Sequence, residues 1–401
     1  MLGVPVRFPG EAPNLPPAAQ QPDWPDRAAL HAATAELASL PGLVAAAESD
    51  ALRDRLARVA RGEAVLLQGG DCAESLDGAT PERVGGKFGL LGRMAAVLTE
   101  GSGLPVVQLG RIAGQYAKPR SSPLETLDGV TLPVYRGDLV NGCDFTARDR
   151  TPDPSRLIRA YGAASATLGM LRELTARHGT ELWTSHEALV LEYERGLTRT
   201  TPAGTYDLSA HLVWIGERTR ALDGAHIDFA AGIRNPVAVK LGPTTTPDEA
   251  LALVDRLDPE RRPGRLTFIT RMGAEAVRDV LPDLVAKVTA DGAEVVWVCD
   301  PMHGNTFTAP SGHKTRHYDT VIDEVRGFFE VHRALGTHPG GIHAELTAED
   351  VTECLGGSCA ISPDEVPDRY ESTCDPRLNA CQALDLAHEL AARYVRHLDG
   401  A

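Results

Sequence analysis

Short apolar runs recur along the chain, and each leads into a residue type that can do chemistry. The run at 65–68 leads into Cys72, the run at 106–109 into Arg111, and the run at 182–184 into His186 and Glu187. The run at 212–215 leads into Glu217, that at 237–239 into Lys240, and that at 266–270 into Arg271. The last two, at 295–298 and around Ile342, lead into Asp300 and His303 and into His343 and Glu345. Helical patterns lie between most of these runs. This layout predicts an α/β fold, a (β/α)8 TIM barrel, whose strands deliver functional groups at their C-terminal ends.

The helical segments carry their own punctuation. Asp153-Pro154 reads as an N-cap followed by proline in the first turn. Leu157, Tyr161, Leu168 and Leu171 then keep to one side, and Gly179 ends the helix. Thr246-Pro247 opens another helix in the same way. Helical periods follow at 273–290 and 318–335, and Pro282 is expected to kink or split the first of these. Residues 376–398 form a closing amphipathic helix. Ahead of the first strand, residues 28–61 hold two helical patterns broken at Pro41-Gly42, and 1–27 read as a proline-rich arm without its own core. The organisation predicted is therefore an N-terminal arm and helical extension over 1–62 and a catalytic barrel over 63–401. The extension either plugs the barrel base or serves an oligomer contact.

Composition narrows the function classes. The 401 residues suit one barrel, about 250 residues in its minimal form, plus extensions. Hydrophobic residues make up 43%, enough for a large core, yet the chain has no apolar run long enough to span a bilayer. No secretory signal is read at the N-terminus, and the seven cysteines form no CxxC pair, so cytoplasmic thiols are expected. The net charge of −15 disfavours nucleic acid and acidic membranes as partners. Against that background Arg111, Lys118, Arg120, Arg218, Lys240 and Arg271 stand out, all at or just past predicted strand ends. On a barrel they converge on one face and suit phosphorylated or carboxylated small molecules. The competing reading is six unrelated surface charges.

Cys72, His303, Glu345 and Asp375 offer one thiolate, one imidazole and two carboxylates. That set fits Mn²⁺, Fe²⁺, Co²⁺ or Zn²⁺ rather than Mg²⁺ or Ca²⁺, and two carboxylates argue against a closed structural zinc site. Spacing alone leaves a plainer reading open: a buried cysteine, a hydrogen-bonded histidine and two helix-end acids. The segment Lys118-Pro119-Arg120-Ser121-Ser122 is either a second anion cradle or an ordinary polar loop. Glu217, placed among cations, is either a proton carrier or a salt-bridge partner. Ser185-His186-Glu187 lacks the G-x-S-x-G elbow, and Gly69-Gly70 is no dinucleotide fingerprint.

Longer blocks carry a resemblance. LLQGGDCAES, GRIAGQYAKPRS, SHEALVLEYE, SAHLVWIGERTR, NPVAVKLGP and PGRLTFITRMG occur in order, followed by VCDPMHGNT, KTRHYD, HPGGIHAELT, VTECLGG and RYESTCDPRLN. Over roughly residues 20–398 the chain resembles the type II 3-deoxy-D-arabino-heptulosonate 7-phosphate (DAHP) synthases. The resemblance implies a metal-dependent transferase of the shikimate pathway, and so of aromatic amino acid biosynthesis. Such an enzyme condenses phosphoenolpyruvate with erythrose 4-phosphate and water to give DAHP and phosphate. It implies metal ligation by Cys72, His303, Glu345 and Asp375, with Mn²⁺ or Co²⁺ foremost and Fe²⁺ or Zn²⁺ as alternatives. It implies phosphoenolpyruvate held by Arg111, Arg218, Lys240 and Arg271, and erythrose 4-phosphate held by Lys118, Arg120 and Ser121. Lys240 and Glu217 are the expected proton handlers. A homodimer or larger assembly, and a chorismate mutase partner, also follow from the resemblance.

One departure matters. Longer members insert a helix pair ahead of the third strand, where they bind aromatic amino acids; here that strand follows Gly179 almost at once. Weak or absent feedback inhibition is expected, which would suit a synthase feeding secondary metabolism. Cys374, beside Asp375, is expected to be able to pair with Cys72 on oxidation. The alternatives carried forward are an aminoDAHP synthase using an imino analogue of erythrose phosphate, a barrel aldolase with a Schiff-base lysine at Lys240, and a non-catalytic barrel paralogue.

Overall fold

The computed structural model describes residues 16–398. Eight parallel strands close into a barrel: Val65–Gly70, Val106–Arg111, Trp183–Glu187, Leu212–Ile215, Val237–Leu241, Leu266–Thr270, Val296–Cys299 and Gly341–Glu345. They occur around the barrel in chain order, and the last pairs with the first. Helices Pro81–Ser102, Ser155–His178, Leu191–Leu197, Ala225–Gly232, Pro247–Leu257, Val277–Ala290, Tyr318–Leu335 and Ala380–Leu398 follow the strands in turn. The expected barrel is thus observed.

Strand alternation decides which side chains do what. Leu67, Val213, Val239, Phe268 and Trp297 point outward into the main core shared with the helices. Leu66, Leu109, Leu212, Trp214, Ala238, Ile269 and Val298 fill the interior. Continuing the interior parity upward leads to Arg111, Lys240, Arg271, Asp300, His343 and Glu345. Register completes the alignment: Gly70 pairs with Arg111 on one side and Glu345 on the other, so both start from one level.

The base is closed by the helix Ala46–Ala60, whose Leu52, Leu56 and Val59 join the interior cluster. The helix Arg27–Ser39 instead packs beside Ser155–His178 and Leu191–Leu197. Of the proline-rich stretch, residues 1–15 lie outside the described part. Its remainder has no core of its own but is anchored: Trp24 is buried among the residues of Arg27–Ser39, and the side chain of Gln21 donates to Leu189 O at 2.7 Å.

Of the two outcomes expected at Pro282, splitting is not observed: the residue lies inside a continuous helix, Val277–Ala290. The helix begins four residues later than the period suggested, so Pro282 falls in its second turn and removes a single early N–H donor. Three small antiparallel hairpins, which the apolar pattern did not register, sit on the loops: Leu124–Leu127 with Val130–Pro133, Thr198–Thr201 with Gly204–Asp207, and Phe307–Thr308 with Lys314–Thr315. Most of their residues are exposed or half-buried, so no strong apolar alternation marks them.

Candidate active site

All six cations singled out in the sequence line one cleft at the C-terminal end of the barrel, with an empty volume of about 730 Å³. Ser121, Glu217, His303 and Asp375 share it. The reading of six unrelated surface charges is therefore set aside.

At its floor, Cys72, Glu345 and Asp375 each offer a donor atom within 4.8 Å of the others. His303 joins them through Nε2, 3.0 Å from Glu345 Oε1. Among the four lies the ammonium of Lys118. Its Nζ is 2.8 Å from the Cys72 sulfur and 2.9 Å from both Glu345 Oε1 and Asp375 Oδ2. His303 Nε2 completes the enclosure at 3.5 Å. A single positive centre thus already touches all four proposed ligands, and the donor set is that of a borderline divalent ion. The residues fit a metal.

Supporting contacts aim the ligands. His303 Nδ1 faces Asp300 Oδ2 at 2.8 Å, which leaves Nε2 free for a cation. Arg316, wholly buried, donates to Glu345 Oε2 at 2.8 Å and to Met302 O at 2.7 Å. Burial opposes the charge on Glu345, but His303, Lys118 and Arg316 outweigh it and hold the group well below the usual carboxylate range. Asp375 is likewise held low against burial, chiefly by Lys118. Burial, with the Cys374 contact and Glu345 adding to it, pushes the Cys72 thiol up. Cys374 goes the other way, to about 7, through its hydrogen bond with Cys72.

The anion-binding side is built differently. Arg111 is buried and its fork is engaged: Nε donates to Asp71 O at 3.0 Å, Nη2 to Glu345 Oε1 at 3.2 Å, and Nη1 meets His343 Nε2. Its guanidinium carbon also lies 5.1 Å from the Trp214 ring centre. Lys240 bonds Asp300 Oδ2 at 2.8 Å. Burial lowers its pKa, Asp300 resists, and the charge of Arg111 adds to the fall. Arg271 leaves Nε buried without a partner among the described residues, whereas Arg218 is exposed at the rim. Glu217 is held by both arms of Arg220 at 3.0 Å and accepts from Gly242 N at 2.7 Å.

Several site residues carried no assigned role from the sequence. Glu187 lines the cleft with a buried Oε1 that meets no donor among the described residues, and burial raises its pKa. Gly216 makes room for it, since a Cβ there would lie 2.1 Å from that oxygen. Lys314 reaches Asp375 Oδ1 at 2.9 Å. Gln20, from the arm, accepts from Arg120 N at 2.9 Å and so steadies the anion loop. Glu187 and Lys314 fall within two of the family-like blocks, which was the available signal; Gln20 gave none.

Comparison with known proteins adds a separate observation. The profile described as Class-II DAHP synthetase family matches residues 13–180 and 172–391. A phospho-2-dehydro-3-deoxyheptonate aldolase of Streptomyces coelicolor is 54% identical over 94% of this chain and 95% of its own. The corresponding AroG enzyme of Mycolicibacterium smegmatis is 48% identical over 94% of this chain and 92% of its own.

Proposed function

The chain belongs to the class-II DAHP synthetase family and condenses phosphoenolpyruvate with erythrose 4-phosphate to give DAHP and phosphate; within that reaction we propose the roles of its side chains. Cys72, His303, Glu345 and Asp375 hold the divalent ion, Mn²⁺ or Co²⁺ foremost, with Fe²⁺ and Zn²⁺ as alternatives. The observation that carries this is the enclosure of the Lys118 ammonium by all four donors. A cation held there supplies Lewis-acid polarisation of the aldehyde oxygen.

The remaining roles belong to the cations and to Glu187. Arg111, Lys240, Arg218 and Arg271 hold phosphoenolpyruvate, with the open Nε of Arg271 free for an oxyanion. Arg120 and Ser121 take the phosphate of erythrose 4-phosphate. Lys118, which a divalent ion held by those four residues would repel, would serve that same substrate with Arg120 and Ser121. Carbon 3 of phosphoenolpyruvate attacks the aldehyde carbon, water adds at carbon 2, and phosphate leaves with C–O cleavage. Lys240 and Glu217 remain the proposed proton handlers, and Glu187 joins them because it lines the cleft and its buried Oε1 meets no donor among the described residues. Holding two anions side by side is where the cluster of cations contributes to rate.

Chelation followed by return of Mn²⁺ or Co²⁺ tests the metal reading. It predicts loss and recovery of phosphoenolpyruvate consumption, and less than one bound ion per chain in Cys72→Ser. A Cys72→Ser variant that keeps full metal content would defeat it. The adjacent thiols of Cys72 and Cys374 also make the ligand oxidisable, so apo-protein should lose metal uptake in oxidant and regain it with reductant.

The wider reading rests on the resemblance and on one local feature. Only four residues separate the helix ending at His178 from the strand starting at Trp183, leaving no helix pair there. We therefore expect little inhibition by Phe, Tyr or Trp and a role in secondary metabolism; strong inhibition by any of the three would refute this. The reading extends to work in the cytoplasm as a homodimer or larger assembly, with a chorismate mutase as possible partner. All seven cysteines are free thiols, and no described helix is long and apolar enough to cross a membrane.

A further inference from the structure

Glu324 belongs to the helix Tyr318–Leu335, outside the cleft, and is wholly buried. Its carboxylate does not face a cation. Oε1 accepts from the peptide N–H of Met272 at 2.8 Å and of Gly273 at 2.9 Å. Oε2 accepts from Asn305 Nδ2 at 2.7 Å. Asn305 in turn accepts from Ala274 N through Oδ1 at 3.1 Å and donates to Pro301 O at 2.8 Å.

These contacts join the turn after the sixth strand to the turn after the seventh. Arg271 immediately precedes the peptides that Glu324 holds, and His303 lies two residues before Asn305. The two turns also touch directly: Arg271 Nη2 donates to His303 O at 2.9 Å. A Cβ at Gly304 would lie 2.4 Å from Gly273 N, so the turns meet backbone to backbone.

We propose that Glu324 is a positioning residue that sets the anion clamp Arg271 and the imidazole of His303 at a fixed separation. The proposal rests on the roles given to those two residues above. Two peptide hydrogens and one amide hydrogen converge on Glu324 and engage both its oxygens as acceptors, against the burial that pushes its pKa up to about 8. A buried residue that aims others must have its own partners satisfied, or its precision is lost.

The chemistry also singles out a test. In Glu324→Gln, Oε1 keeps the two peptides but the new amide faces the Asn305 amide, donor against donor. Asn305 cannot turn over without presenting its NH2 group to Ala274 N–H. In the double variant Glu324→Gln/Asn305→Asp, the glutamine amide donates to the new carboxylate, which still accepts from Ala274 N–H but no longer donates to Pro301 O.

The measurements are KM for phosphoenolpyruvate, kcat, and Mn²⁺ affinity by chelator competition, each on the full chain. Glu324→Gln is expected to raise KM and weaken Mn²⁺ by about 10-fold each, with a smaller change in kcat. The double variant is expected to recover part of both losses relative to Glu324→Gln, short of the parent because the bond to Pro301 O is not restored. Asn305→Ala removes the cross-link together with the bond to Pro301 O, leaves Glu324 on the Met272 and Gly273 peptides, and carries the same comparison if Glu324→Gln does not fold. Arg271→Ala serves as reference: if it leaves KM unchanged, the clamp role itself is wrong. If Arg271→Ala raises KM while the Glu324 and Asn305 variants match the parent in KM and Mn²⁺ affinity, the positioning role is overturned. Loss of thermal stability alone, without those shifts or the rescue, overturns it equally.

Discussion

The ammonium of Lys118 lies 2.8 Å from the Cys72 sulfur, inside the set of donors proposed for the metal. Although burial opposes its charge, Asp375, Cys72 and Glu345 hold the lysine well above its ordinary pKa. Lysine and metal therefore compete for one negative pocket. Lys118→Met is expected to bind Mn²⁺ at least as tightly as the parent in chelator competition, while kcat/KM falls by about 100-fold. Weaker Mn²⁺ binding would show that Nζ assists the ion instead of opposing it. Because the Cys72 thiol is pushed up, metal uptake should also release protons and tighten as pH rises.

Asp300 serves Lys240 and His303 at once, bonding each at 2.8 Å. Asp300→Asn removes the charge that resists the fall in the Lys240 pKa. The basic limb of kcat/KM, where Lys240 loses its proton, should then move to lower pH. Mn²⁺ affinity should weaken by about 10-fold or more, as His303 loses its charged partner. An unmoved basic limb would remove Lys240 from the proton chemistry.

Glu187 carries the open acceptor of the cleft, and burial raises its pKa. Glu187→Gln keeps the shape and loses the exchangeable proton, so kcat/KM should fall by about 100-fold with thermal stability retained. Gly216→Ala should reproduce much of that loss without replacing a titratable residue, since its Cβ displaces the same oxygen. Activity near the parent level in both variants would exclude Glu187 from catalysis.

Stability should depend on acid through buried histidines. Burial pulls His211 and His332 down to about 3 and His338 to about 4. The folded chain keeps them neutral where the unfolded chain protonates them, below about pH 6.5. Their contribution is complete above that pH and is lost progressively as pH falls toward 4 and then 3. Tm should drop across this window, and His332→Asn should flatten part of the slope. An unchanged slope in that variant would assign the acid loss to other groups.

Lys240, Asp300 and Glu345 were legible as chemistry at strand ends because strand parity is local: every second residue faces inward, whatever the rest of the chain does. The long blocks made the metal set legible for a different reason, by resemblance. Glu324 was not legible, because its partners Met272, Gly273 and Asn305 offer backbone and amide groups that leave no trace in apolar periodicity. Glu187 was named as a strand ending and nothing more, since the role turns on an unmet acceptor, which only packing exposes.

The sequence by itself determined the eight-fold alternation, the caps at Thr246 and Gly179, and the identity of the charged strand endings. Those follow from nearest neighbours and from side-chain period. Tertiary structure alone decided that Lys118 enters the ring of metal donors, that Arg220 occupies Glu217, and that Ala46–Ala60 closes the barrel base. Each of these joins or satisfies charges and apolar faces across space, and burial and Coulomb attraction act on distance between atoms, not on distance along the chain.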